Sequence, residues 1–230
     1  MDYFLRPKLA WYSIARELRP INFAISRSVT FKDPILLPEG PTSKLTDAER
    51  LEKNKDIHST PHAYGEKNVI FDIWGLNALV TDVDVTVTIQ FFEISTGKLI
   101  KNVDVAVRLL PNRSTEIQKI DWSKNNPSDT VVSVLFKSST GVNGRSSADW
   151  PQPLKYVEFL DRGVKVSVEG EQVTLRAAKP TKGVILDVEG DNDSGLEWSD
   201  NGFDIMPGEP IKVTAKGLAG RKVTVNWYGE

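Results

Sequence analysis

Residues 3–21 read YFLRPKLAWYSIARELRPI, and the rest of the chain is read outward from this stretch, because it carries a helical pattern while most of the remaining residues alternate like β-strands. Pro7 suits the first turn of a helix, where its missing N–H would have no partner, and Pro20 cannot continue one, so the two prolines bracket about three turns. Between them Trp11, Ile14 and Leu18, flanked by Ala10 and Ala15, recur at helical spacing and share a face, while Tyr12, Ser13 and Arg16 point elsewhere. That apolar face needs a cover, which is either the chain's own strands or a body beyond them.

Directly after Pro20, Ile21, Phe23 and Ile25 alternate with Asn22, Ala24 and Ser26, the period of a half-buried strand. From Lys32 to Lys67 the pattern dissolves into proline, glycine, serine and charge, with a capping-box signature at Thr46 and Glu49 ahead of a short helix; this segment is expected to be a disordered insertion. Strands then resume. Val69, Phe71 and Ile73 alternate, as do Val83, Val85, Val87, Ile89 and Phe91, and a Ser95–Lys98 turn returns the chain through Leu99–Leu110. Strands near Thr115–Ile120 and Thr130–Phe136, and one through Tyr156 and Phe159, complete about seven, enough for an immunoglobulin-like sandwich. After Gly163 the alternation restarts at Val164, Val166 and Val168 and continues to Trp227 with glycine-rich turns. The fold class is therefore all-β: two immunoglobulin-like β-sandwiches preceded by one α-helix, with domains at 1–20, at 21–160 including the insertion 32–67, and at 161–230.

Composition narrows the function. The 230 residues are 40% hydrophobic and 26% charged, ample for two cores, and a net charge of −2 with pI near 5.8 offers no basic surface for nucleic acid. Neither a membrane span nor a signal peptide is written in the sequence. With 0 cysteines, disulfides and thiolate chemistry are excluded and a reducing, cytoplasmic compartment is mildly favoured, although sequence upstream of Met1 would leave secretion open.

The helical stretch closely resembles the last helix of the catalytic barrel in the β-mannosidases of glycoside hydrolase family 2, in particular the fungal B type, where a D-Y-x-L-R-P-K-x-A-x-x-x-I-x-R-E-L-x-P-I pattern leaves the barrel. Two further stretches agree in order and spacing. Residues 71–77, FDIWGLN, resemble that family's E-I-W-G-x-N segment, and residues 198–208, WSDNGFDIMPG, resemble a segment of its final sandwich. Asp149-Trp150-Pro151, Gly183–Gly190 and Gly220–Val225 are smaller agreements. The resemblance implies that the helix is left over from a (β/α)8 barrel and that the chain is the non-catalytic C-terminal region of a retaining enzyme that removes terminal β-linked mannose. It implies that the barrel is the partner, through Trp11, Ile14 and Leu18, and that mannosides are met only through the parent. Without the barrel the apolar stripe would be left uncovered. In such enzymes the acid/base glutamate follows an asparagine, and this sequence has no Asn-Glu dipeptide. No residue here is assigned a catalytic role; Asp2 and Tyr3, where the last barrel strand would end, are the only positions expected near substrate.

A search for other chemistry returns little. His58 and His62 stand four apart, but Pro61 between them disfavours a helix and no third ligand is near, so no metal and no cofactor is expected. The acidic groups Asp82/Asp84, Glu189/Asp191/Asp193 and Asp200/Asp204 could serve glycoside hydrolysis only in a sugar-sized pocket with carboxyls about 5–5.5 Å apart in a retaining enzyme. Of the 6 tryptophans, Trp74 and Trp227 are expected in cores, Trp11 on the buried helix face, and Trp122, Trp150 and Trp198 as plugs at strand ends. Ser199-Asp200-Asn201 reads as a turn. Two alternatives stand beside the β-mannosidase reading: a free-standing carbohydrate- or protein-binding sandwich, marked by an exposed tryptophan, and the same region of another family 2 glycosidase such as an exo-glucosaminidase.

Overall fold

Helix α1 (Leu9–Glu17) runs straight into strand β1 (Ile21–Phe31). The computed structural model describes residues 7–31, 67–159, 161–190 and 195–229. Asp2 and Tyr3, residues 32–66 with the two histidines, and Asp191 and Asp193 lie outside the described residues. The helix begins two residues later than its prolines suggest, with Lys8 as an N-cap that makes no side-chain hydrogen bond. It ends where Leu18 N–H closes on Ile14 O at 2.9 Å, ahead of Pro20.

The first sandwich faces a three-stranded sheet, β1 with β2 (Lys67–Asn77) and β5 (Arg113–Asp121), against a four-stranded one. The latter has the order β4-β3-β6-β7, from β3 (Val83–Glu93), β4 (Leu99–Leu109), β6 (Thr130–Ser138) and β7 (Asn143–Arg145). Every described pairing is antiparallel. The alternation in β3 places Val83, Val85, Val87, Ile89 and Phe91 in the core as its period demands. Across the sandwich Phe23 meets Phe136 at 4.8 Å and Phe71 meets Phe91 at 5.5 Å between ring centroids, while Trp122 stacks on Phe91 at 4.1 Å. Gly75, in the IWG triplet, is small because a Cβ there would stand 2.8 Å from Leu109 Cδ2 and 3.1 Å from Phe23 Cε1.

The second sandwich has the smaller core. Its four-stranded sheet has the order β11-β13-β9-β8, with β8 (Lys165–Glu169), β9 (Gln172–Arg176), β11 (Glu197–Trp198) and β13 (Ile211–Lys216). Facing it are β10 (Thr181–Val188), β12 (Phe203–Ile205) and β14 (Val223–Asn226), with β10 in the middle. Between the two sandwiches a third apolar cluster joins Phe92, Ile94 and Val131 of the first to Met206 of the second through Trp150 and Phe159.

Three expectations need correction. The strand expected through Tyr156 and Phe159 is a 3-10 turn at Leu154–Tyr156, since Pro151 and Pro153 remove the N–H donors a strand would need. Trp74 is not in the core: it stands 36% exposed on the outer face of β2, beside Leu76. Trp11 is likewise 50% exposed, with Ile14 at 57% and Leu18 at 76%, so the apolar stripe of α1 faces outward while Tyr12, expected to point away, is buried at 4%.

Candidate functional site

The polar face of α1, not its apolar one, holds the helix to the molecule. Arg16 lies against the turn before β12, where its guanidinium pairs with Asp200 and donates to Asn201 O at 3.1 Å and Gly202 O at 2.7 Å. Glu17 accepts from Asn22 Nδ2 at 2.9 Å and from Ser147 Oγ at 2.6 Å, and Arg19 donates to Arg145 O at 2.9 Å. One helix is thus tied to both sandwiches by charge-assisted hydrogen bonds, which are roughly twice as strong as neutral ones. Burial, with the nearby Asp200 carboxylate, raises the Tyr12 phenol above its usual range. Burial lowers the guanidinium of Arg145 and, against the pull of Asp200, that of Arg19.

The turn that receives Arg16 is itself built by Asn201. Its side chain is buried and copies a backbone pairing: Oδ1 accepts from Leu186 N at 2.8 Å while Nδ2 donates to Leu186 O at 2.8 Å. The triplet Ser199-Asp200-Asn201 is therefore more than a turn. Nearby, Trp150 Nε1 donates to Asp204 Oδ2 at 2.7 Å, and Asp204 Oδ1 accepts from Gly183 N at 2.8 Å. Asp149 pairs with Arg27 at 2.6 Å; burial raises its carboxyl, opposed by that arginine. A crevice of about 220 Å³ at this junction is lined by Arg16, Arg145, Lys182, Asp204 and several serines.

Four of the candidate carboxylates have defined partners. Asp84 meets Arg108, Glu189 meets Lys222, Asp200 meets Arg16, and Asp204 meets the Trp150 indole, so each partner is a cation or an N–H. Among the described residues no group of three or more His, Asp or Glu side chains is placed to hold a metal ion, and no described helix is long and apolar enough to cross a membrane. What the junction can do chemically is fix geometry. The sequence reading missed Arg16, Glu17 and Asn201 as its makers; the signal was available, since each falls inside a quoted motif.

Residues 70–156 match the family described as Mannosidase Ig/CBM-like domain, and residues 159–226 match the Ig-fold domain of mannosidases. Each sandwich thus carries its own match to a mannosidase immunoglobulin-like domain. Over 231 residues the chain is 32% identical to β-mannosidase B of Aspergillus clavatus, a match taking in 95% of this chain and 23% of that protein. The chain spans about a quarter of the length of the curated relatives it matches. Among solved structures, β-D-mannosidase from Dictyoglomus thermophilum superposes with a TM-score of 0.67 at 14% identity, over 99% of this chain and 24% of that one. Amycolatopsis orientalis exo-chitosanase CsxA superposes with a TM-score of 0.50 at 16% identity, over 71% of this chain and 24% of that one. Both share the fold of these mannosidase domains.

Removing residues 1–20 tests the docking of the helix. Loss of the buried Tyr12 and of the Arg16 contacts is expected to lower the melting temperature by about 5–10 °C for a chain of this size. An unchanged melting curve would mean that the helix is tethered to β1 without being held.

Proposed function

We propose that this chain is the non-catalytic β-sandwich region of a β-mannosidase, with residues 21–160 and 161–230 as its two domains and residues 1–20 as the last helix of the catalytic barrel. The parent would hydrolyse terminal β-D-mannosides with retention, and the sandwiches would serve as the base on which the barrel rests. One observation carries the reading: α1 is clamped through Arg16 and Glu17 to both sandwiches, yet it turns Trp11, Ile14 and Leu18 outward. An apolar face on a helix already held from behind is built to receive a second body. Full burial of three such side chains is worth about 1.5–3 kcal/mol each. Asp2 and Tyr3 remain the positions proposed to approach the substrate.

The test is complementation. A β-mannosidase B shortened by the region this chain matches is expected to be poorly folded alone and to gain hydrolysis of an aryl β-mannoside when this chain is added, while the chain alone stays at background. Trp11→Asp and Ile14→Asp together are expected to abolish the gain without changing the chain's own melting temperature. Turnover by the chain itself, after rigorous removal of host glycosidases, would overturn the reading.

A second reading has its own observation. Trp74 and Leu76 form an exposed apolar strip on the outer face of β2, opposite the small Ala24 of β1, the flat kind of surface on which a sugar ring stacks. If this sandwich binds carbohydrate, β-mannan oligosaccharides should perturb tryptophan fluorescence, and Trp74→Ala should remove the response. Replacing the mannoside by an aryl β-glucosaminide in the complementation assay separates a parent of the exo-glucosaminidase kind.

A further inference from the structure

Strand β8 reads Lys165-Val166-Ser167-Val168-Glu169, and all five residues are exposed. Among the described strands it closes one end of its sheet, paired only with β9. Its two valines sit opposite fully buried residues, Val166 across from Leu175 and Val168 across from Val173, so they share the core face of the sheet. They are nevertheless 40% and 45% exposed, because the facing sheet has three strands against four and stops short of them.

The free edge has a defined hydrogen-bonding pattern. Gly170, at φ +61°, is the first central residue of the two-residue turn joining β8 to β9, the position a type II′ turn reserves for glycine. Such a turn closes on a hydrogen-bonded pair, here Glu169 with Gln172. Alternation then gives the next hydrogen-bonded pairs to Ser167 with Thr174 and Lys165 with Arg176. The backbone N–H and C=O groups of Val166 and Val168 therefore point away from β9, toward solvent.

We propose that β8 is the pairing edge of a homodimer, in which the same strand of a second copy runs antiparallel to it about a two-fold axis through Ser167. The strand is self-complementary in that register. Val166 lies opposite Val168 of the other copy with their outward backbone groups exchanging hydrogen bonds, and Lys165 lies opposite Glu169 of the other copy, twice. The four valines close over one another on the core face, and the two ion pairs form on the outer face. Opposite charges directly across an antiparallel pair are favourable, and the same surface used by both copies is what a two-fold contact requires. A parallel arrangement or a shift of one residue loses both the charge pairing and the valine contact. So short an edge belongs to the weak, transient class of interface.

The chain has 0 cysteines, so a single introduced thiol gives an unambiguous readout. In the proposed register the two Ser167 residues form a non-hydrogen-bonded pair with Cα atoms about 4.5 Å apart, within disulfide range. Under mild oxidation Ser167→Cys is expected to cross-link more than about tenfold faster than Thr140→Cys on an exposed turn, since pairing raises the effective thiol concentration. By sedimentation, Lys165→Glu is expected to weaken self-association about tenfold by setting like charges opposite one another, and the swap Lys165→Glu with Glu169→Lys to restore it. Val168→Pro, which removes only an outward N–H, is expected to abolish association with the melting temperature nearly unchanged. Equal cross-linking rates for the two cysteines, or association indifferent to Lys165→Glu, overturn the proposal. So does association that is lost with Trp11→Asp and not with the β8 variants, which would make α1 the contact.

Discussion

Replacing Trp122 with alanine is expected to destabilise the first sandwich by about 3–5 kcal/mol, the cost of emptying a large aromatic site in a packed core. Trp122 is 1% exposed, stacks on Phe91, meets Phe71 edge-on at 6.5 Å, and donates from Nε1 to Thr130 Oγ1 at 3.2 Å. Its removal leaves a cavity between the sheets and a buried hydroxyl short of one donor. Thr130 keeps its own bond to Asn126 O at 2.6 Å, so the loop before β6 should hold while the core softens. Denaturant unfolding with near-ultraviolet circular dichroism checks this, and Trp122→Phe should recover a substantial part of the loss. A change below about 1 kcal/mol for the alanine variant would mean that the core is closed elsewhere.

Asn201→Ala is the second large effect, expected at about 2–4 kcal/mol on the second sandwich. Alanine there strands the N–H and the C=O of Leu186, both bonded to the Asn201 side chain in the interior. Asp200→Ala, one residue earlier, is the control. It removes the Arg16 pair, which is partly exposed, and should cost about 1 kcal/mol or less. If the two variants melt together, the buried amide has no special standing and the turn is held by Arg16 alone.

The strands were legible because β3 and β6 bury side chains at the period the backbone imposes, and glycine and proline mark the returns. The helix was legible between its prolines, and its stripe of Trp11, Ile14 and Leu18 was read correctly as a face of its own. What periodicity does not carry is the occupant of each face. A polar face is assigned to solvent by default, yet Arg16 and Glu17 found carbonyls and hydroxyls contributed by segments more than a hundred residues away. Val166 and Val168 carry the alternation of buried strands, but burial also depends on the width of the opposite sheet, which no local pattern encodes. Trp74 misled for the converse reason: tryptophan in a strand is usually buried for its area, and here the buried face belongs to Phe71, Ile73 and Gly75. Asp2 and Tyr3 rested on the resemblance, and Asn201 was visible in its motif but looked like ordinary turn chemistry.

The bond between Arg16 and Asp200 spans 184 positions of chain. On the ribosome those positions take about 10–40 s to emerge at 5–20 residues per second. During that interval α1 has left the tunnel with no anchor for its guanidinium, while the strands of the first sandwich already have one another. Docking of the helix is then among the last events of folding, and for as long as it waits, Tyr12, buried in the finished fold, is bared together with the outward Trp-Ile-Leu stripe to whatever chaperone or neighbouring nascent segment is nearest.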